Sequence, residues 1–283
     1  MHIEEFIRLA LQEDIGDGDH TSRALLPNSL RRSAELKVKS TGVLAGMSVA
    51  QKVFEAIDPN IEFEPLLTDG ILVSGGEIAF RVNGTAQNIL SAERLCLNIM
   101  QRMSGIASFT RQVVDSIAHT NCRVLDTRKT TPLNRTIEKM AVAIGGGVNH
   151  RMGLYDAILI KDNHVDYAGS IQEALHRASQ YLNQHALQLP IVVEVRNLDE
   201  LQQLLDSNIS ADRVLLDNFQ PHTLHLAVET VAHQIPTEAS GGITPKNAVA
   251  YAETGVDFIS MGCLTQNPPP FDLSLKATVE PMV

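Results

Sequence analysis

The stretch Asp126–His164 reads DTRKTTP (126–132), a helix-length interval, GGGVNHRMG (145–153) and YDAILIKDNH (155–164). Val124 and Leu125 end a short apolar run that Asp126 to Lys129 follow directly, and Ala157 to Ile160 form a second run that Lys161 follows. Runs of strand character ending in charged groups are what a parallel α/β sheet or barrel produces, because its ligands sit at the carboxyl ends of the strands. Arg128, Lys129, His150, Arg151, Lys161 and His164 would then converge although they are far apart in the chain. They are interleaved with Gly145, Gly146 and Gly147 in a protein of formal net charge -10. A local basic cluster against the acidic trend points to a small anionic ligand, not to nucleic acid. Any one of these residues alone reads equally well as a solvated loop residue; six together do not.

Working outward, short apolar runs recur after Asn121: 123–125, 157–160, 191–195, 213–216, 237–239 and 258–261. They alternate with helical stretches at 170–185, 198–206, 221–233 and 245–254. Such alternation means βα units and a parallel sheet. About six units are visible, fewer than the eight of a complete barrel, so an incomplete, open α/β barrel is expected. Upstream, Ile3, Phe6, Ile7, Ala10 and Leu11 lie at helical spacing before Gly16. From Ser33 to about Ala86 the sequence reads mostly as strand and turn, with Ala34, Leu36 and Val38, then Ile78, Phe80 and Val82, at alternate positions. Gln87 to Ala118 is helical in composition, with a break or kink expected at Gly105. The expected domains are an N-terminal α+β sandwich over 1–112, joined by a C-terminal tail over 266–283, and the barrel over 113–265.

Composition narrows the function classes. With 283 residues, 44% hydrophobic and 20% charged, the chain has the makeup of an ordinary globular protein with ample core. Only 4% of residues are aromatic and Trp is absent, so base-stacking platforms are not expected. The sequence pI of about 5.4 argues against a phosphate-neutralising face for duplex DNA. Cys96, Cys122 and Cys263 are odd in number and widely spaced, which reads as reduced thiols, with no disulfide frame or zinc site. The N-terminus has neither a basic segment nor an apolar core of signal-peptide type, and no apolar run is long enough for a membrane span, so a cytoplasmic protein is expected. The acidic segment DIGDGDHTS (14–22) fails the EF-hand template, which places Ser22 at the glycine position and Asn28 at the bidentate one.

The later strand ends carry the complementary chemistry. Glu194 lies near the end of IVVEV and Asp217 follows RVLL. Two carboxylates at neighbouring strand ends can hold Mg²⁺ through oxygen or bind ribose hydroxyls. SGGITPKN (240–247) offers glycines for close backbone approach, Thr244 as N-cap and Pro245 at the first helical position, a seat for phosphate next to the Gly262 loop. Neither a Walker loop nor GxGxxG is present.

Nearly end to end, the chain resembles the quinolinate phosphoribosyltransferase family. The resemblance rests on EDIGDGDHTS, ERLCLNIMQRMSGIAS, DTRKTTP, EKMAVAIGGGVNHRMGLYDAILIKDNH, VEVRNLDEL, LLDNF, EASGGIT and AETGVDFISMG. It implies an N-terminal α/β sandwich, an open barrel of seven-stranded type, and transfer of phosphoribosyl from 5-phosphoribosyl diphosphate to quinolinate. The products are nicotinate mononucleotide, diphosphate and CO₂. It further implies that Arg94, Arg128, His150, Arg151 and Lys161 bind the quinolinate carboxylates, with Arg94 supplied by the partner subunit of a homodimer that could assemble further. Lys129, Glu194 and Asp217 would be catalytic and serve the phosphoribosyl diphosphate, the two carboxylates holding Mg²⁺. Ser240, Gly241, Gly242, Met261, Gly262 and Cys263 would hold phosphate, and Thr127 completes the substrate-binding set. The chain departs from the family pattern at Leu133, Asn134, Val192, Arg196 and Gln266. Two other readings are a Schiff-base barrel aldolase using Lys161 and a non-catalytic or transport-accessory relative of the same fold.

Overall fold

The computed structural model describes residues 2–278. Helix α1 (Ile3–Ile15) buries Ile7 and Leu11, and Gly16 ends it at a positive φ of 56°. The acidic loop serves the next helix: the Asp19 carboxylate accepts the Ser22 N–H and hydroxyl at the start of α2 (His20–Leu25). There follow β1 (Arg31–Val38), β2 (Gly42–Val43), α3 (Met47–Ile57), β3 (Glu62–Pro65), β4 (Leu72–Val73) and β5 (Ile78–Thr85). Ala34, Leu36 and Val38 are buried and alternate with more exposed neighbours, the period-2 pattern of a one-faced sheet. Helix α3 is a departure from the strand-and-turn reading of this region. Its apolar residues Val49, Ala50, Val53, Phe54 and Ile57 fall at helical spacing, and Phe54 packs against Phe63 and Phe80 with ring centroids 5.9 and 5.8 Å away.

Helix α4 (Ala86–Ser116) runs through Gly105 without a break. A Cβ at Gly105 would lie 2.5 Å from the Pro269 carbonyl oxygen, so the residue is small because another segment passes over it. After α4 come β6 (Arg123–Leu125), α5 (Arg135–Ile144), β7 (Ile158–Ile160), α6 (Asp162–Ala168), α7 (Ile171–Gln184) and β8 (Ile191–Val195). The rest is α8 (Leu198–Leu205), β9 (Arg213–Asp217), α9 (Pro221–Val231), β10 (Thr237–Ser240), α10 (Ala248–Ala252), β11 (Phe258–Ser260), α11 (Cys263–Gln266) and β12 (Leu273–Thr278).

The chain forms two compact units. One gathers the described residues up to Arg111, Thr130–Gly146 and those from Leu264 onward; the other is Gln112–Lys129 with Gly147–Cys263. In the first, an antiparallel sheet runs in the order β12-β1-β5-β3, with Leu36 opposite Leu275. The C-terminal strand thus closes an edge of the N-terminal sheet, while residues 279–283 of the expected tail lie outside the described residues. The excursion 130–146, read from sequence as barrel, belongs to this first unit. There Glu138, fully buried, accepts from Arg102 Nε and Nη2 and from the Thr131 N–H. Gly145 packs so closely on α4 that a Cβ would meet the Ala107 carbonyl oxygen at 2.5 Å, so this glycine of the GGG run serves packing.

The second unit is a six-stranded, wholly parallel sheet in the order β6-β11-β10-β9-β8-β7. A single bridge from Leu125 to Val148 extends it beyond β6. β8 is buried at all five positions, as expected of a strand covered on both faces. Ser170 and Asn197 cap α7 and α8 through the N–H groups of Glu173 and Glu200, and Pro221 occupies the first turn of α9. The incomplete α/β barrel expected from the six apolar runs is therefore present. One expected detail differs. Thr244 and Pro245 form a turn in which the Thr244 N–H donates to Asn247 Oδ1, and α10 begins only at Ala248. The helix is five residues long, so the N-cap and first-turn roles read for Thr244 and Pro245 in SGGITPKN are not realised.

Candidate active site

Three strand-end groupings of the parallel unit carry the expected residues. The first is organised by Asp126, fully buried at the end of β6. Its N–H donates to the Val148 carbonyl and its Oδ1 accepts the His150 N–H at 2.8 Å, which fastens the GGGVNHR stretch to the DTRK turn. Thr127 Oγ1 accepts the Lys129 N–H at 3.0 Å, so the threonine shapes the turn bearing Arg128 and Lys129. His150 Nδ1 accepts the Arg151 N–H at 2.7 Å. Arg151 donates through Nη1 to the Ala157 carbonyl at 3.0 Å while its Nε is buried without a partner. Burial, and then the like charge of Arg128, lower the pKa of Arg151 from its usual range. The Asp156 carboxylate opposes that fall. Asp156 accepts the N–H groups of Met152 and Gly153 and so turns the chain back into β7.

The second grouping spans β7, β8 and β9. Lys161 Nζ lies 3.4 Å from Glu194 Oε2, and His164 Nδ1 accepts the Lys161 N–H. The Glu194 carboxyl is pushed above its ordinary range chiefly by burial, with Lys161 opposing the rise and Asp217 adding to it. Asp217 accepts from Ser240 Oγ at 3.2 Å and from Asn218 Nδ2 at 2.6 Å. A row of one ammonium and two carboxylates, Lys161, Glu194 and Asp217, with the Ser240 hydroxyl at its end, thus crosses four strands.

The third grouping is the pair of loops after β10 and β11. Gly241 has φ +97° and a Cβ there would fall 2.2 Å from Asn218 Oδ1; Gly242 has φ +64° and open space beside it. Met261 is fully buried and donates its N–H to the Leu125 carbonyl, so it ties β11 to β6 and presents no side chain outward. Gly262 follows it, and Cys263 holds its thiol 3.8 Å from the Ile243 carbonyl oxygen, with burial raising its pKa. Arg94 lies on α4 in the first unit.

Sequence patterns diagnostic of one enzyme family cover both units. The model of the quinolinate phosphoribosyl transferase N-terminal domain matches residues 19–104, and that of the C-terminal domain matches residues 106–276. The chain belongs to the quinolinate phosphoribosyltransferase family. A quinolinate phosphoribosyltransferase [decarboxylating] 2b, mitochondrial, of Nicotiana tabacum is 40% identical over 98% of this chain and 83% of its own length. A probable nicotinate-nucleotide pyrophosphorylase [carboxylating] of Bacillus subtilis (strain 168) is 38% identical over 99% of this chain and 94% of its own. The solved nicotinate-nucleotide pyrophosphorylase of Francisella tularensis superposes with a TM-score of 0.91 at 38% identity, covering 98% of this chain and 96% of that one.

Within this quinolinate phosphoribosyltransferase family chain, one departure, Arg196, finds a local explanation. Arg196 is bound to Asp166 and to Glu200, so its charge is answered by its own neighbours. Val192 is a buried strand residue, and Gln266 ends α11. Asn134 precedes α5 without a capping side-chain bond, and Leu133 stands at φ +67°. Asp126, Asn218, Glu238 and Arg213 were not among the expected site residues. Asp126 and Asn218 adjoin expected ones, whereas Glu238 in TEAS and Arg213 in DRVLL show no local signal.

Proposed function

We propose that the protein transfers the 5-phosphoribosyl group to the ring nitrogen of quinolinate with loss of the 2-carboxylate, giving nicotinate mononucleotide for NAD synthesis. The observation that carries this reading is that Lys161, Glu194, Asp217 and Ser240 stand at the ends of four neighbouring strands, Lys161 paired with Glu194 and Ser240 with Asp217, in the same parallel unit as Arg128 and Arg151. Both substrates are multiply anionic, which accounts for a basic site in an acidic chain. In this reading Arg128, His150, Arg151 and Lys161 orient the two pyridine carboxylates, and Lys129 meets the phosphoribosyl diphosphate. Loss of diphosphate builds positive charge on the ribose carbon, and the Glu194 and Asp217 carboxylates favour that charge and orient the ribose hydroxyls. The Gly241–Gly242 backbone and the Gly262 loop receive the 5′-phosphate. Once the ring nitrogen is quaternary its positive charge stabilises the electron pair left on C2 as CO₂ departs, and a proton from water completes the C2–H bond, so positioning and electrostatics suffice.

Mg²⁺ is the implied cofactor. Among the described residues there is no cluster of three or more His, Cys, Asp or Glu side chains able to hold a metal alone. Two interacting carboxylates nevertheless suit an ion that takes most of its oxygens from substrate phosphates and water, so Glu194 and Asp217 would hold it. When bound, Mg²⁺ neutralises charge on the leaving diphosphate. A Schiff-base role for Lys161 is disfavoured, because its side chain is 47% exposed and its amine is ion-paired to Glu194 instead of desolvated in an apolar pocket. Arg94 completes the quinolinate site from the partner subunit of a homodimer. The three free thiols support a reducing compartment, the cytoplasm, and no helix among the described residues is long and apolar enough to cross a membrane.

The test is incubation with quinolinate, phosphoribosyl diphosphate and Mg²⁺, with nicotinate mononucleotide and CO₂ as readouts. Nicotinate has one carboxylate and would leave part of the Arg128, His150, Arg151 and Lys161 cluster unanswered, so it should be turned over far less well than quinolinate. Comparable turnover of nicotinate, or no CO₂ release from quinolinate, would overturn the assignment.

A further inference from the structure

Glu238 is wholly buried on β10, two residues before Ser240 and therefore on the same strand face. Its Oε2 accepts from Arg213 Nη1 at 2.9 Å and lies 3.4 Å from His150 Nε2, while its Oε1 is buried with no hydrogen-bond partner. Arg213 is the counter-ion: its guanidinium also stacks over Phe258, 4.7 Å from the ring centroid. That pair would neutralise the buried carboxylate by itself, so the third group, His150, calls for a separate account.

The ring supplies one. His150 Nδ1 accepts the Arg151 N–H, so in this geometry it carries no proton, and the imidazole proton sits on Nε2, facing Glu238. The His150 main chain is held independently by Asp126. We infer that Glu238 is a positioning residue: it holds His150 in the Nε2–H tautomer and, through the Nδ1 acceptor this leaves, fixes the main chain from which Arg151 reaches the quinolinate carboxylates. Arg213, donating to the same carboxylate from the start of β9, holds it in place. The inference rests on the assignment of His150 and Arg151 to quinolinate made above.

The experiment compares wild type, Glu238→Gln, Glu238→Asp, His150→Ala and the Glu238→Gln/His150→Ala double variant. Glu238→Gln is expected to raise KM for quinolinate by about tenfold or more, in the range of lost outer-shell partners, with KM for phosphoribosyl diphosphate within about twofold. Because Glu238 acts through His150, the double variant should be no more than about threefold worse than His150→Ala in kcat/KM. Glu238→Asp keeps the charge on a shorter stem and should retain part of the affinity. Effects that multiply in the double variant, or equal changes in both KM values, would mean a merely structural carboxylate and overturn the inference. Should Glu238→Gln fail to fold, ring ¹⁵N resonances of wild-type His150, identified by their loss in His150→Ala, decide alone: a protonated Nδ1 overturns it. Calorimetric titration of quinolinate without the second substrate separates the two layers. Wild type that binds quinolinate but makes no product sinks the transfer reading and leaves positioning to be judged by affinity; wild type that does not bind quinolinate sinks both.

Discussion

Leu133 is 71% exposed and sits in the left-handed region, φ +67°, immediately after the TTP segment. A side chain other than Gly or Asn gives up roughly 1 kcal/mol there, and exposure means no packing offsets it. Glycine would relieve the strain but loosen the unfolded chain by a similar amount, whereas Asn tolerates the conformation without that entropy. Leu133→Asn should therefore raise Tm by about 2 °C in thermal denaturation; no gain would mean that the loop relaxes around leucine without strain. At this scale the sequence was readable where residues run against the trend. Arg128, His150, Arg151 and Lys161 stand out because they are basic groups at the ends of apolar runs in an acidic chain. Glu238 and Arg213 do not stand out, because one carboxylate in TEAS and one guanidinium in DRVLL look like any strand residue until register sets them on one face. The turn at Thr244 escaped for a related reason: Ser/Thr-x-x-Asn can close a turn on itself as readily as cap a helix.

Among the elements, α4 shows two local rules in competition. Helix propensity says that Gly105→Ala should stabilise by about 1 kcal/mol. The Cβ, however, would stand 2.5 Å from the Pro269 carbonyl oxygen, a backbone atom, and overpacking of that kind costs about 1–3 kcal/mol. Packing should win, so Tm is expected to fall by a few degrees; a rise would show that the proline segment yields freely. Composition alone invited the reading of Gly105 as a break, since only the fold reveals what crosses the helix. The strands of the parallel unit were legible because each is a continuous apolar run ending in a chemical group. Helix α3 was legible too, in the spacing of Val49, Val53 and Ile57, but the strand signals on either side of it dominate the composition of that region.

For the whole molecule, Arg94 belongs to the N-terminal unit and the other proposed quinolinate ligands to the parallel one. If Arg94 acts across a two-fold dimer, mixing inactive Arg94→Ala with inactive Lys161→Ala and allowing exchange gives heterodimers in which one site carries both lesions and the other none. Activity should return toward about a quarter of wild type, half the dimers holding one intact site. Demonstrated exchange with no recovery would place Arg94 in its own subunit's site. The sheet order has a kinetic consequence as well. β7 is three residues long and is paired within its sheet only to β8, while the β9 and β10 strands of Asp217 and Ser240 are paired on both sides, and the other edge, β6, is backed by the bridge to Val148. Amides at such an edge open at lower free energy than those inside the sheet. Deuterium should therefore enter the main chain around Ile160 and Lys161 before it enters β9 or β10, and quinolinate, by engaging Lys161, should slow that exchange first. The site would stiffen from its free edge inward as it fills.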